Sequence, residues 1–211
     1  MERIGIIGSG DVGKALAKGL TKHGYLVMLG SEDQSKREQF KRETGIMTGK
    51  FAEAALFGDV VILSVKGSVA ENVITSIAGK ITGKTVIDTT NPIAEKPPVN
   101  GVIQFFTSLD DSLMERLQRL VPDANLVKAF SCTGNSFMID PDFGQKPSMF
   151  ICGNNPSAKI EVTDLLKKVG WETEDMGSAE AARAIEPLCM LWCIPGLLEN
   201  KWNHAFKLLK K

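Results

Sequence analysis

The 211-residue chain balances 25 basic against 25 acidic residues, and 43% of it is hydrophobic. No basic surplus points to nucleic acid or an anionic membrane as a partner, and no apolar run approaches the roughly 20 residues of a bilayer span. The start, Met1 to Gly8, enters a strand at once and lacks the regions of a signal peptide, so a cytoplasmic location is expected.

In chain order, Ile4 to Ile7 reads as a short buried strand ending in glycine. Val12, Leu16 and Leu20 then repeat at helical spacing until Gly24, and Tyr25 to Leu29 reads as a second strand. Residues 31–45 are charged and partly helical. Thr48 to Phe57 reads as a short helix, Val60 to Val65 as a buried strand, Val69 to Ile77 as a helix and Thr85 to Asp88 as a strand. Ala94 to Gly101, with two prolines, is a loop. A helix from Asp111 to Leu120, a strand from Leu126 to Phe130, a loop to Pro147 and a strand from Met149 to Cys152 follow. Ser157 to Val169 is helical and Trp171 to Asp175 a short strand. The tail from Ser178 to Lys211 is rich in helix, but Pro187 and Pro195 are expected to kink or break it.

Strands alternating with helices predict an α/β fold with a doubly wound, Rossmann-like parallel sheet and a helical C-terminal tail. Residues 1–177 form the expected dinucleotide-binding domain. Residues 178–211 form a helical extension packed on it or on a partner subunit, with a homodimer as one outcome. Cys132, Cys152, Cys189 and Cys193 contain no Cys-x-x-Cys pair, and neither His23 nor His204 sits near them. They read as reduced, mostly buried thiols with no metal site.

Gly8-Ser9-Gly10-Asp11-Val12-Gly13 matches G-x-G-x-x-G. The pattern gains specificity here because it follows a strand and opens an amphipathic helix. Gly8 permits the tight turn, Gly10 admits a pyrophosphate close to the backbone, and Gly13 lets helix and strand pack closely. The helix N-terminus then offers free N–H groups to the phosphates. An acid about 20 residues further on favours NAD by binding the ribose 2′-hydroxyl, and Glu32 stands there. Ser31, Lys36 and Arg37 around it suit a 2′-phosphate instead, and Glu32 also reads as a solvated carboxylate at a helix start.

The stretches Ile4 to Gly13, Val61-Ile-Leu-Ser-Val-Lys66, Asp88-Thr-Thr-Asn-Pro92 and Val127-Lys-Ala-Phe130 fall in the order seen in the coenzyme F420:NADP oxidoreductases. These are NADPH-dependent deazaflavin reductases. The chain also resembles the cytosolic domains of six-transmembrane ferric reductases, and the resemblance covers nearly its whole length. It implies that Ser9, Gly10, Asp11 and Val12 cradle the pyrophosphate and that Ser31 and its neighbour meet a 2′-phosphate. It also implies that Val65 and Lys66 pass the adenine side, Asn91 and Pro92 lie by the nicotinamide ribose, and Ala129 touches the nicotinamide. The loop Phe130, Ser131, Cys132, Thr133 and Gly134 then lines the pocket of a small-molecule redox acceptor. The sequence departs from the family at Glu32, where arginine is usual, and in the polar run Ser131 to Asn135, where the family is more apolar.

Hydride transfer between flat rings needs stacking and water exclusion more than acid–base help, so no catalytic side chain is expected. The lack of a suitably placed histidine argues against a hydroxyacid dehydrogenase, which must protonate a carbonyl oxygen. About 35 residues follow Asp175, short of the helical domain such enzymes add. Lys66 reads as a phosphate partner. Lys128 interrupts a buried-looking strand and has no such simple reading. Cys132 reads as a passive wall residue, and Cys189, Met190 and Trp192 as core or interface. The expectation is an oxidoreductase moving a hydride between NADP, in preference to NAD, and a flavin-like or deazaflavin acceptor. The alternative is a dinucleotide-binding sensor without turnover.

Overall fold

The computed structural model describes residues 2–211. Its first strand, β1 (Arg3–Ile7), buries four of its five residues, the continuous apolar run that a strand covered on both faces requires. The glycine turn leads into α1 (Asp11–Lys22), which buries a stripe of Gly13, Leu16, Ala17 and Leu20. β2 (Leu26–Gly30) returns parallel to β1. Asp33 opens α2 (Gln34–Thr44) by accepting from Lys36 N, and left-handed Gly45 ends it.

The helix expected from Thr48 to Phe57 is divided. Met47–Gly49 is a strand, β3, paired with β2, and the helix α3 begins only at Phe51 and ends at Phe57. Three residues cannot display a period, so the short strand was hidden. β4 (Val60–Leu63), α4 (Gly67–Ser76), α5 (Ala78–Ile81) and β5 (Thr85–Asp88) follow. A long loop reaches α6 (Leu113–Leu120), whose N-terminus carries a reciprocal Ser112–Glu115 capping box. Then come β6 (Asn125–Lys128), β7 (Ser148–Gly153), α7 (Pro156–Lys168) and β8 (Glu172–Asp175). The chain closes with α8 (Ala182–Ile185) and α9 (Pro187–Glu199).

The strands form one sheet in the order β3-β2-β1-β4-β5-β6-β7-β8. The fold is the expected Rossmann-like α/β sheet with a C-terminal helix, and one pairing is not parallel: β7 runs antiparallel to β6. An antiparallel neighbour needs no crossover helix. The connection from Ala129 to Pro147 therefore stays at one edge of the sheet, interrupted only by a short 3-10 turn at Asn135–Phe137. Helices cover both faces, and the core divides accordingly. Ile4, Ile6, Leu16 and Trp171 belong to one side, and Val61, Leu63, Ile74 and Leu117 to the other.

The tail departs from expectation in two ways. Pro187 and Pro195 do not break it: Glu186 keeps helical dihedrals between α8 and α9, Pro187 takes the first-turn position of α9 and Pro195 lies inside it. The result is one helical run, Ala179–Glu199, of 21 residues and mean hydropathy 1.3, long and apolar enough by length and composition for a bilayer span, where the sequence was expected to hold no such run. Only a third of its apolar window is buried against the domain. Residues 200–211 carry no regular secondary structure. They turn back to the sheet, where Ser148 N donates to Phe206 O at 2.9 Å and Lys207 pairs with Glu172 at 2.7 Å.

Candidate functional site

One rung of the sheet sets the site. Gly30, Ile7, Leu63, Asp88 and Lys128 are in register across β2, β1, β4, β5 and β6. All stand at the C-terminal ends of parallel strands, where open α/β sheets bind ligands. The loops leaving this rung carry Ser31 and Glu32, Gly8 to Val12, Val65 and Lys66, Asn91 and Pro92, and Ala129 to Gly134. Residues scattered over more than a hundred positions thus share one edge.

At the switch point between β1 and β4, Gly8 has φ of 125°, a conformation other residues rarely adopt. A Cβ on Gly13 would sit 2.0 Å from Gly8 O, whereas a Cβ on Gly10 would meet nothing within 4 Å. Gly13 therefore serves helix–strand packing, and Gly10 faces open space beside α1. No side chain caps the N-terminus of α1. Its free N–H groups and positive dipole end point into that space, the arrangement that receives a phosphate.

At the end of β2, Ser9 Oγ donates to Ser31 Oγ at 2.9 Å, and Arg37 Nη1 donates to Ser31 O at 2.6 Å. Lys36 does not gather at Ser31. Its ammonium is exposed and lies 4.0 Å from Asp33 Oδ2. Glu32 is exposed, as a solvated carboxylate would be, and lies one residue before Asp33, the N-cap of α2. Its Oε1 accepts from Phe51 N at 2.9 Å, which caps the first turn of α3. A cavity of about 490 Å³ opens beside it, lined by Glu32, Lys50, Phe51, Asn72, Val73 and Ile77. Lys66 stands exposed at the N-cap of α4.

At the ends of β5 and β6, a Cβ on Gly67 would meet Asn91 O at 2.0 Å, so the loop after β4 lies directly on the loop after β5. Asn91 Nδ2 donates to Ser131 O at 2.7 Å and joins that loop to the one after β6. Phe130, 1% exposed, has φ of 61°. A bulky buried residue in the left-handed region is strained, and this one turns Ser131 to Gly134 back over the sheet edge. Asn91 Oδ1, Ser131 Oγ and Thr133 Oγ1 are buried without a hydrogen-bond partner. Leaving such atoms unpaired costs about 1–3 kcal/mol each, so each is open to a partner that the described residues do not supply. Burial pushes the Cys132 thiol up to about 12, which makes it an unreactive wall. Gly134 packs on the Trp192 ring of α9, where a Cβ would come within 2.7 Å.

Directly beneath lies a feature that the sequence only hinted at. Lys128 is 0% exposed, and its ammonium pairs with Asp88 Oδ2 at 2.7 Å, Glu186 Oε1 at 2.9 Å and Thr90 O at 2.8 Å. Burial alone would lower its pKa, but the two carboxylates outweigh burial and raise it, so Lys128 stays charged. Asp88 Oδ1 accepts from Thr90 N and Thr90 Oγ1, which fixes the loop that carries Asn91. Glu186 also accepts from Leu113 N and Met114 N at the start of α6. The oddity of a lysine in a buried strand was visible in the sequence. Its partner Glu186, 58 residues away, was not.

The geometry suits an extended phosphate-bearing dinucleotide. The uncapped helix and open Gly10 fit its phosphates, the cavity by Phe51 lies to one side, and the unpartnered Asn91–Ser131–Thr133 atoms lie to the other. Among the described residues no cluster of potential metal ligands occurs.

Residues 3–92 match the family described as NADP oxidoreductase, coenzyme F420-dependent. The chain is 30% identical over 205 residues to Metalloreductase STEAP3 of Rattus norvegicus, covering 93% of this chain and 39% of that protein. It thus spans about two fifths of the metalloreductase's length. It is 28% identical over 200 residues to the F420-dependent NADP reductase of Methanocaldococcus jannaschii, covering 87% of each. A crystal structure from Arthrobacter sp. FB24, provisionally assigned as an F420-dependent NADP-reductase, superposes with a TM-score of 0.91 at 28% identity over the whole of both chains.

Proposed function

We propose that the chain, which is similar to the coenzyme F420-dependent NADP oxidoreductases, moves a hydride between NADPH and a flavin-like or deazaflavin acceptor. The observation that carries this reading is the trio of buried, unpartnered polar atoms on Asn91, Ser131 and Thr133. They lie on the same sheet edge as the uncapped phosphate-binding turn. In this reading they take the polar edge of the nicotinamide end and of the acceptor stacked on it.

NADPH supplies the hydride, and the protein supplies position. The N–H groups of α1 and the open face of Gly10 hold the pyrophosphate. Ser9, Ser31 and Arg37 form the 2′-phosphate end, with Ser9 and Ser31 hydroxyls already paired and oriented. The cavity beside Phe51 takes the adenine. The Phe130 turn and Trp192 wall off the acceptor end from water, which is what ring-to-ring transfer needs. No side chain there is asked to move a proton: Lys128 is buried and paired, and Cys132 stays a thiol.

NADP over NAD is the choice that the Ser9–Ser31 hydroxyl pair and Arg37 at the end of β2 support, with Glu32 Oε1 turned toward Phe51 N. The test is NADPH oxidation followed at 340 nm across a deazaflavin, flavins, quinones and ferric chelates, alongside dissociation constants for NADPH and NADH. Turnover with a flavin-like ring supports the reading. Tight NADPH binding with no oxidation over any acceptor overturns it and leaves a sensor, and tighter NADH binding overturns the choice of cofactor.

A further inference from the structure

The buried Asp88–Lys128–Glu186 cluster does not cancel its own charge. Both carboxylates face the single Lys128 ammonium, at 2.7 and 2.9 Å. Glu186 receives Leu113 N, Met114 N and the Lys128 ammonium, none of which can accept a proton in return. Asp88 Oδ1 accepts from Thr90 N and Thr90 Oγ1, and Asp88 Oδ2 lies 2.7 Å from the same ammonium. Two carboxylates against one ammonium leave one negative charge. The N-terminus of α6 offsets at most about half a unit of it through its dipole. The nearby Glu115–Arg183 pair at 2.6 Å is neutral as a pair. An excess negative charge therefore remains, and it is buried where water screens it least.

Its position gives it a function. Asp88 and Lys128 occupy the rung from which the Asn91 and Ala129 loops depart. The cluster holds Thr90 directly, and Glu186 lines a cavity of about 230 Å³ beside Phe105, Pro187 and Met190. Hydride donation breaks the C4–H bond of the reduced ring. Both electrons leave with the hydrogen to the acceptor ring, and the donor ring gains one positive charge. We propose that the Asp88–Lys128–Glu186 cluster is a fixed negative charge beneath the nicotinamide end of the groove, which favours the oxidised, cationic ring over the reduced, neutral one and strengthens the bound cofactor as a hydride donor. This rests on the placement of NADP given above. The cluster acts through its field and not by contact, so its members tune the reaction without being catalytic residues.

The measurement is binding, not turnover. Dissociation constants for NADP+ and NADPH are determined without acceptor for the unmodified protein, Glu186→Gln and Asp88→Asn, with 2′,5′-ADP as a probe of the adenosine half alone. Each variant leaves one carboxylate facing Lys128, a neutral pair that can stay buried; Glu186→Gln also turns one acceptor of the α6 amides into a donor, which Asp88→Asn does not. The expected result is a rise of about threefold to tenfold in the ratio of the NADP+ to the NADPH constant in each variant, with the 2′,5′-ADP constant unchanged. An unchanged ratio in either folded variant overturns the proposal, as does a parallel weakening of both nucleotides, which would make the cluster purely structural. Failure of the unmodified protein to bind either nucleotide would instead defeat the cofactor placement itself.

Discussion

Gly10 and Gly13 stand three residues apart in one motif, and the structure gives them opposite tasks. Gly10 has φ of −74° and ψ of −175°, extended backbone that any residue adopts, and a Cβ there meets nothing within 4 Å. Gly10→Val therefore costs the fold little. Losing glycine at an N-cap is worth about 1 kcal/mol or less, a fall of roughly 2–4 °C in Tm for a chain of this size. The same side chain fills the space in front of the α1 N–H groups, and NADPH affinity should drop at least about tenfold, or 1.4 kcal/mol. Gly13→Ala reverses the pattern. Its methyl would lie 2.0 Å from Gly8 O and 2.9 Å from Ser64 Oγ. Backbone must move, at a cost of about 1–3 kcal/mol or more. Thermal unfolding and NADPH titration on the two variants separate binding from packing. A folded Gly10→Val protein with unchanged NADPH affinity would refute the placement of the phosphates. A Gly13→Ala protein as stable as the parent would refute the packing argument.

Other outcomes follow from the same geometry. Glu32→Gln keeps an oxygen for Phe51 N while removing a charge near Ser31, so it should tighten NADPH more than NADH by a few-fold; no change in that ratio would mean the carboxylate is remote from the 2′ position. Thr133→Val removes an unpartnered hydroxyl and should alter acceptor KM or kcat while leaving the NADPH dissociation constant within about twofold, and the reverse pattern would place Thr133 on the cofactor side. Lys128→Met strands two buried carboxylates, which costs about 3–5 kcal/mol and should lower Tm by roughly 10 °C. Glu115 is held down to about 2, first by hydrogen bonds from Arg183 and then by the Ser112 cap, against burial. Its stabilisation is full above its ordinary value of 4.5 and is lost as pH falls toward 2, so Arg183→Ala should flatten the decline of Tm over that window, and an unchanged slope would remove Glu115 from the account.

Local rules carried the first ninety residues well. β1, α1, β2 and β5 were legible within a residue or two, because buried parallel strands are apolar runs and glycine turns announce themselves. The residues expected to line the site sit on one edge of the sheet for the same reason: each follows the end of a strand. What escaped was contact between distant segments. Nothing around Glu32 says that its carboxylate reaches Phe51. The antiparallel β7 escaped because direction is not encoded in the composition of a strand. The proline rule failed at Glu186-Pro187 because a residue before proline avoids the helical region only when free to choose.

Glu186 is not free to choose. Its amide donates to Ala182 O, its carbonyl accepts from Cys189 N, and its side chain takes three further donors from Leu113, Met114 and Lys128. A first-turn proline needs no N–H of its own, so the helix passes through the position intact. Apolar side chains could dock this helix on the sheet at equal or lower cost, since desolvating a buried ion pair often consumes what the pair returns. They could not accept the free amides of α6, hold the Thr90 carbonyl in place, or leave a charge behind. The α6 amides alone could have been capped locally, as Ser112 and Glu115 already cap one another. That Glu186 reaches across from the tail to do it ties three things to one carboxylate: the course of the C-terminal helix, the seat of the Asn91 loop and the field at the end of the groove. A substitution there should therefore be read in all three: Glu186→Gln keeps the side chain's shape but turns one acceptor of the α6 amides into a donor, so Asp88→Asn, which leaves Glu186 and its amide contacts in place, is the change that separates the field from the other two.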